Sequence, residues 1–206
     1  PSVSREERTL AIEVSGPAGQ VAHGASLLNE DDIYYFREGS HARLYRVLGA
    51  HPTTLNGEPG VHFAVWAPNA ASVSVFGDFN GWNKESHALG ARFDSSGIWE
   101  GFVAGIEPGA AYKYHIRSSH RDYRVDKTDP FGFFAEPPPR TASRVWALDY
   151  EWSDGEWMQR RARSNALDAP WSIYEVHFGS WSRRDGQSLG YREIAEPLAD
   201  YVADMG

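Results

Sequence analysis

The sequence predicts a mainly β protein: an immunoglobulin-like antiparallel β-sandwich over residues 58–150, a linker over 151–170, and one strand–helix unit over 171–206. Three observations carry this. Apolar residues alternate with polar ones in short runs. Pro, Asn and Gly turns separate those runs. Past Trp171 the pattern changes to a short apolar run followed by a stripe of helical period.

Residues 1–30 are polar and Gly-punctuated with little periodicity, which predicts a mobile tail or the remnant of an upstream domain. Residues 31–57 form a lead-in. Ile33, Tyr34, Tyr35 and Phe36 make an apolar patch there, and Ser40 is placed to cap a short helix through Leu44, Tyr45, Val47 and Leu48, closed by Gly49. In the sandwich, Val61, Phe63 and Val65 alternate against His62, Ala64 and Trp66. Pro68-Asn69 then turns the chain into a strand over Val73, Ser74, Val75 and Phe76. Trp99 to Val103 and Tyr112 to Ile116 supply two more strands, the second after a Glu107-Pro108-Gly109 turn. The spacing leaves room for roughly seven or eight short strands.

Residues 129–143, DPFGFFAEPPPRTAS, carry four prolines and predict an extended connector. A surface link follows to Asp168, pinned by Trp152 and Trp157. Ile173, Tyr174, Val176 and Phe178 then make a strand apolar on both faces, the pattern of a buried parallel strand. Tyr191, Ile194, Ala195, Leu198, Tyr201, Val202 and Met205 fall on one helical stripe, which Pro197 should kink and Gly206 should cap.

Composition narrows the partners. At 206 residues with 41% hydrophobic and 14% aromatic content, the sequence is that of a globular protein rather than a disordered one. The net charge of −8 argues against nucleic acid and anionic membrane as partners, and is compatible with a neutral polymer. The basic run Gln159-Arg160-Arg161-Ala162-Arg163 is explained by a solvated linker face. There is no cysteine, hence no disulfide, no Cys-zinc site and no Cys nucleophile. With no apolar run approaching the ~18 residues of a membrane helix and no signal-peptide core in PSVSREERTL, a soluble, cytoplasmic protein is expected.

Few residues invite a functional reading. Trp82 ends the run Gly77-Asp78-Phe79-Asn80-Gly81-Trp82, where Gly77 and Gly81 permit a tight turn and Asn80 tolerates left-handed geometry. A flat indole there can stack on the apolar face of a sugar ring, or pack over the sandwich edge and bind nothing. By alternation Lys113 and His115 face opposite to Tyr112 and Tyr114, so one pair reaches solvent. Trp66 and Trp99 fit packing across neighbouring strands. Glu175 and His177, two apart on a strand, share a face and could form an acid–base pair, though a buried hydrogen-bonded role suits them better. No metal site is expected, since His115 and His120 flank a turn and no His pair has i, i+4 spacing beside a carboxylate. No phosphate loop and no cofactor are expected either.

The segments VWAPNA, GDFNGW, DPFGF with TAS, and YEVHFGSW occur here in one order, preceded by FREGSHARLYRVLGAHP. Together they closely resemble the family-48 carbohydrate-binding module and the first barrel strand of glycoside hydrolase family 13 branching enzymes. The resemblance implies that residues 171–206 begin a (β/α)₈ barrel, a fold of about 250 residues, so that the sequence reads as truncated. It implies a reaction that cuts an α-1,4 bond through a glycosyl-Asp intermediate and passes the chain to a 6-hydroxyl. The nucleophilic Asp and the acid Glu would lie downstream of Gly206, so no catalytic residue is expected here. Trp82 is implied as a glucan platform and Lys113 as a donor to glucan hydroxyls, with Trp99 as a third candidate contact. A second aromatic usual after the lysine strand has only Tyr123 as its nearest match. The implied partners are an α-glucan such as glycogen or starch and the missing catalytic barrel of the same protein. A free-standing glucan-binding module, and a trehalose-forming or debranching relative, are the alternatives.

Overall fold

The computed structural model describes residues 20–121, 123–164 and 168–205, and the chain divides into two units, Pro1–Asp149 and Tyr150–Gly206. In the first unit the strands are β1 (Val21–Ala22), β2 (Gly49–Leu55), β3 (Glu58–Trp66), β4 (Ala70–Gly77), β5 (Gly90–Ala91), β6 (Ile98–Ala104), β7 (Ala111–Ser118), β8 (Arg124–Lys127), β9 (Phe134–Ala135) and β10 (Ser143–Arg144). Helix α1 (Glu30–Glu38) lies between β1 and β2. One sheet runs β1-β6-β3-β2, with β5 also on β6; the other runs β4-β7-β10-β9, with β8 also on β7. The pairings in both are antiparallel.

The two sheets close on each other through the residues that alternation turns inward. Val61, Phe63, Val65 and Val103 come from the first sheet, and Val73, Val75, Tyr112 and Tyr114 from the second, with Val145 beside them. The Phe63 ring sits at the centre, 5.2 Å from Tyr112 and 6.5 Å from Tyr114, both edge-on. This is the antiparallel sandwich expected from the sequence.

Two buried hydroxyls then need acceptors. Tyr112 and Tyr114 both donate to Asp129 Oδ2, at 2.6 and 3.1 Å, while Asp129 Oδ1 accepts the Phe131 N–H at 2.8 Å. Burial pushes the Asp129 carboxyl up, and these hydrogen bonds only partly offset it. The Asp129 N–H in turn donates to Ser143 Oγ at 3.1 Å. Residues 129–143 are therefore not a connector. They fold as the β9–β10 hairpin, and β10 pairs with β7. Pro137, Pro138 and Pro139 occupy its loop, where no ladder N–H is required.

The N-terminal segment also departs from expectation. Among residues 20–29, β1 pairs with β6, and Ala25 and Leu28 are buried, so this stretch is packed rather than a tail; residues 1–19 lie outside the described residues. The helix falls one segment earlier than predicted. Asn29 Oδ1 accepts the Asp32 N–H and Asp32 Oδ2 the Asn29 N–H, a reciprocal cap, and Gly39 at φ 70° ends the helix. Only one turn of 3₁₀ helix, Leu44–Arg46, stands where the Ser40-capped helix was expected. Ile33, Leu28, Val47 and Leu48 cover Ala64 and Ile98 on the outer face of the first sheet. As a result β3 is buried on both faces instead of one.

Beneath that cover lies an ion-pair network. Glu100 accepts from Arg92 Nη1 at 2.6 Å and Ser26 Oγ at 2.8 Å, and Arg92 Nε pairs with Asp94 at 2.7 Å. Buried His62 approaches the Ala25 carbonyl at 3.1 Å and Glu100 at 3.4 Å through Nε2. Burial pushes Glu100 up, but the His62 hydrogen bond and the His62 and Arg92 charges outweigh it and bring it below its ordinary value. Asp94 follows the same pattern: its burial is outweighed by Ser96 and Arg92, and it sits at about 2.

The second unit contains α2 (Gly155–Ser164), α3 (Phe178–Trp181), the short hairpin β11 (Arg183–Arg184) and β12 (Gln187–Ser188), and α4 (Tyr191–Met205). Helix α4 carries the predicted stripe and runs on through Pro197; of the stripe only Ile194 is buried. Its expected cap, Gly206, lies outside the described residues. No strand forms over 171–177, and Phe178 opens α3. A parallel strand needs a hydrogen-bonding neighbour at its edges, and none lies beside this segment among the described residues. Trp152 and Trp157 are exposed, so they do not pin the link, which itself holds α2. No helix among the described residues is long and apolar enough to cross a membrane.

Candidate functional site

The outer face of the second sheet carries the candidate site, and its position follows from one tight approach. Gly77 closes β4 opposite Tyr112, and a Cβ at Gly77 would collide with the Ala111 carbonyl. Glycine is thus needed for β7 to lie close, and its extended backbone makes no turn. The turn comes from Gly81 and Trp82, both left-handed, at φ 60° and 61°. Asn80 is not left-handed; it braces the loop, accepting from the Gly77 N–H at 3.0 Å and donating to the Asn83 carbonyl and Ser86 hydroxyl at 3.1 Å. A tryptophan in left-handed backbone is uncommon.

That backbone turns the Trp82 indole outward, 39% exposed. Its edge is held by Phe76, whose ring lies 5.6 Å away at 81°, and its N–H donates to Asp78 Oδ1 at 3.1 Å. Asp78 is fixed in turn, because Oδ2 accepts the Ala111 N–H at 2.9 Å. The ring is therefore held before any ligand arrives.

Phe76 is the direct cross-strand partner of Lys113, so both side chains share the outer face. The alternation along β7 settles which pair reaches solvent: Tyr112 and Tyr114 are fully buried, Lys113 and His115 are not. The Lys113 ammonium donates to Thr141 Oγ1 at 2.6 Å. Next to this row, Asp126 accepts from Lys84 at 2.7 Å and meets His115 Nδ1 at 2.8 Å. Burial raises Asp126, but those hydrogen bonds and charges outweigh it and hold it below its ordinary value. A shallow groove bounded by Ser74, Lys84, His115 and Arg117 continues the face. Phe76 and Thr141 escaped the sequence reading, since only the folded sheet and hairpin bring them to Trp82 and Lys113; Asp78 escaped it too, although it lies only four residues before Trp82 in the same loop.

Trp99 is not part of this face. It lies opposite Val65 on the inner side of the other sheet, packed against the core, with its N–H on the Ala67 carbonyl at 3.1 Å. Trp66 is on the outer face of that sheet, against Phe36 and donating to the Ser96 carbonyl. Tyr123 is exposed in the turn between β7 and β8, ten residues past Lys113; it lies beside Ser118, which is five residues and so roughly 17 Å along β7 from Lys113, and it is not brought to Trp82. Glu175 and His177 are exposed rather than buried, and His177 Nδ1 meets Ser180 Oγ at 2.8 Å. No group of His, Cys, Asp and Glu among the described residues could hold a metal ion.

Comparison with known proteins adds what geometry does not. Carbohydrate-binding module 48 (Isoamylase N-terminal domain) matches residues 47–132. The 1,4-alpha-glucan branching enzyme of Albidiferax ferrireducens is 58% identical over 178 residues, covering 86% of this chain and 28% of that protein. The branching enzyme of Aromatoleum aromaticum is 56% identical over 183 residues, covering 88% and 28%. That of Aquifex aeolicus is 51% identical over 184 residues, covering 88% and 29%. Among solved structures, PulA from Klebsiella oxytoca aligns with a TM-score of 0.43 at 28% identity, over 59% of this chain and 11% of its own. The chain thus spans little more than a quarter of the relatives it matches. Residues 47–132 thus match the carbohydrate-binding module 48 family, and the chain that holds them is similar to the N-terminal portion of 1,4-alpha-glucan branching enzymes.

Proposed function

We propose that the sandwich binds an α-1,4-linked glucan on the outer face of its second sheet, as the module of a protein that passes glucan segments to 6-hydroxyls and so forms α-1,6 branches. The observation that carries this is a half-exposed indole already held in place beside an ammonium, within a carbohydrate-binding family. A pyranose ring presents a face of C–H bonds, and Trp82 presents a flat apolar surface to it. Lys113 offers N–H donors to the hydroxyls at the ring edge, and its bond to Thr141 uses one of the three and holds the ammonium on that face. Because Phe76 and Asp78 restrain the indole beforehand, little side-chain entropy is lost on binding. Trp99 has no part in this reading.

The branching step itself requires two carboxyl groups about 5 Å apart, one as nucleophile and one as acid and then base. The buried carboxylates here are committed elsewhere, Asp129 to two tyrosines and Glu100 to Arg92 and Ser26. In this reading residues 171–205 belong to the barrel that supplies the chemistry, and the 206-residue chain binds glucan without branching it. Native electrophoresis in gels containing glycogen, together with an assay for new α-1,6 linkages, tests both halves. Retarded migration with no new branches is expected. Unretarded migration contradicts the binding role, and branch formation by the pure chain contradicts the division of labour.

A further inference from the structure

We propose that Phe134 and Trp146 form a second sugar-stacking platform on the same sheet face, so that a long α-glucan lies across the module on two aromatic supports. This rests on the reading of Trp82 as the first. Register places the pair. Arg144 is opposite Ala111 on one side and Phe134 on the other, and Ala111 lies two residues from Lys113 on β7. Phe134 thus shares the outer face with Lys113, two strands over and two residues along, roughly 12 Å away by sheet spacing. Trp146 joins it: their rings stack at 4.8 Å and 30°, and each residue is 44% exposed.

The backbone on both sides of the platform is anchored. Val145, next to Trp146, is fully buried, and its N–H and carbonyl are bonded to Ala110 and Gly109 at 2.9 and 2.7 Å. Phe134 sits on the hairpin that Asp129 and Ser143 tie to the core. The platform also keeps a donor in reserve. In the sandwich unit, the indole N–H groups of Trp66, Trp82 and Trp99 donate to Ser96, Asp78 and Ala67, each at 3.1 Å. Trp146 has no such acceptor among the described residues. Polar groups accompany the two aromatic supports: the Lys113–Thr141 hydrogen bond on β7 between them, and Glu136, two residues past Phe134, paired with Arg144 and Arg140. Rings alternating with hydrogen-bonding groups suit an amphipathic polymer, whose sugar faces are apolar and whose edges are hydroxyls. A protein surface would instead favour an uncharged apolar centre.

Two linked contacts make affinity depend on ligand length. The test compares maltotriose with a long linear α-1,4-glucan on the full 206-residue chain. Trp146→Ala should weaken binding of the long glucan about tenfold and leave maltotriose binding within about twofold of the unmodified chain. Trp82→Ala should weaken both. Trp146→Phe retains a ring and should retain most of the affinity. Phe134→Ser, on an edge strand, repeats the test should Trp146→Ala not fold. Unchanged long-glucan affinity in both Trp146→Ala and Phe134→Ser overturns the proposal. So does unchanged glucan affinity with an altered oligomeric state, which assigns the pair to a protein contact. If Trp82→Ala binds both ligands normally while Trp146→Ala loses the long one, the second platform stands and the reading of Trp82 fails.

Discussion

The sandwich and the segment after Tyr150 carry equally clear apolar patterns, yet only one converts them into burial. In the sandwich Val61, Phe63, Val73, Val75, Tyr112 and Tyr114 are all at or below 1% exposure. In the second unit Ile173 is 88% exposed, Tyr191 79% and Met205 59%, and Ile194 alone is buried among the stripe. A pattern states which face should leave water; a partner surface decides whether it does. The hydrophobic term scales with area removed from water, so it supports the first unit and is largely unrealised in the second.

That contrast can be broken most severely at Phe63. Replacing it with Ala opens a void among Phe79, Tyr112 and Tyr114, and should lower stability by about 3–5 kcal/mol in denaturant unfolding. Arg92→Met comes next. It strands the Glu100 carboxylate in a buried site and should cost about 3 kcal/mol by the same measurement.

The pH dependence sharpens the comparison inside the sandwich, because its hydrogen-bonded acids shift in opposite directions. Asp94 and Glu100 titrate below their ordinary values in the folded state. Their contribution is complete above the unfolded carboxylate range and is lost as pH falls, for Asp94 from about 3.9 towards about 2. Arg92→Met should flatten that acid loss. Asp129 is raised instead, so its contribution is complete below the unfolded carboxylate range and is lost as pH rises through its folded value. Asp129→Asn should remove that upper slope, read from unfolding midpoints across pH. Smallest of all is Ile173→Ser, expected to change unfolding stability by less than about 0.5 kcal/mol; a loss of several kcal/mol there would show that the exposed segment is packed in solution.

Much of the sandwich was legible because β3, β4 and β7 follow period two over several residues. What escaped was written in shorter signals or in none. β2 lies within the lead-in over residues 31–57, although Asn56-Gly57, left-handed at φ 51° and 85°, is a hairpin turn between β2 and β3. Asn29 with Asp32 and the closing Gly39 marked helix α1, and Ser40 with Gly49 offered a competing but weaker pair. The β9–β10 hairpin was hidden by its prolines, which exclude ladder positions but not the loop between two strands. No local signal could assign Asp129 to Tyr112 and Tyr114, since that contact exists only once β7 and the hairpin meet. The site divides the same way. Trp82 and Lys113 stand out as residues, but the edge-on contact of Phe76 with the indole, and its place beside Lys113, depend on the β4–β7 register.

The central claim is that Trp82 is a ligand platform and not an edge-packing residue. The affinity of the 206-residue chain for glycogen, measured for the unmodified protein and for Trp82→Ala, tests it most directly. A loss of about tenfold or more with an unchanged unfolding midpoint is the predicted result. Equal affinities, or a midpoint that falls along with the binding, would contradict it and leave the indole a structural part of the sandwich edge.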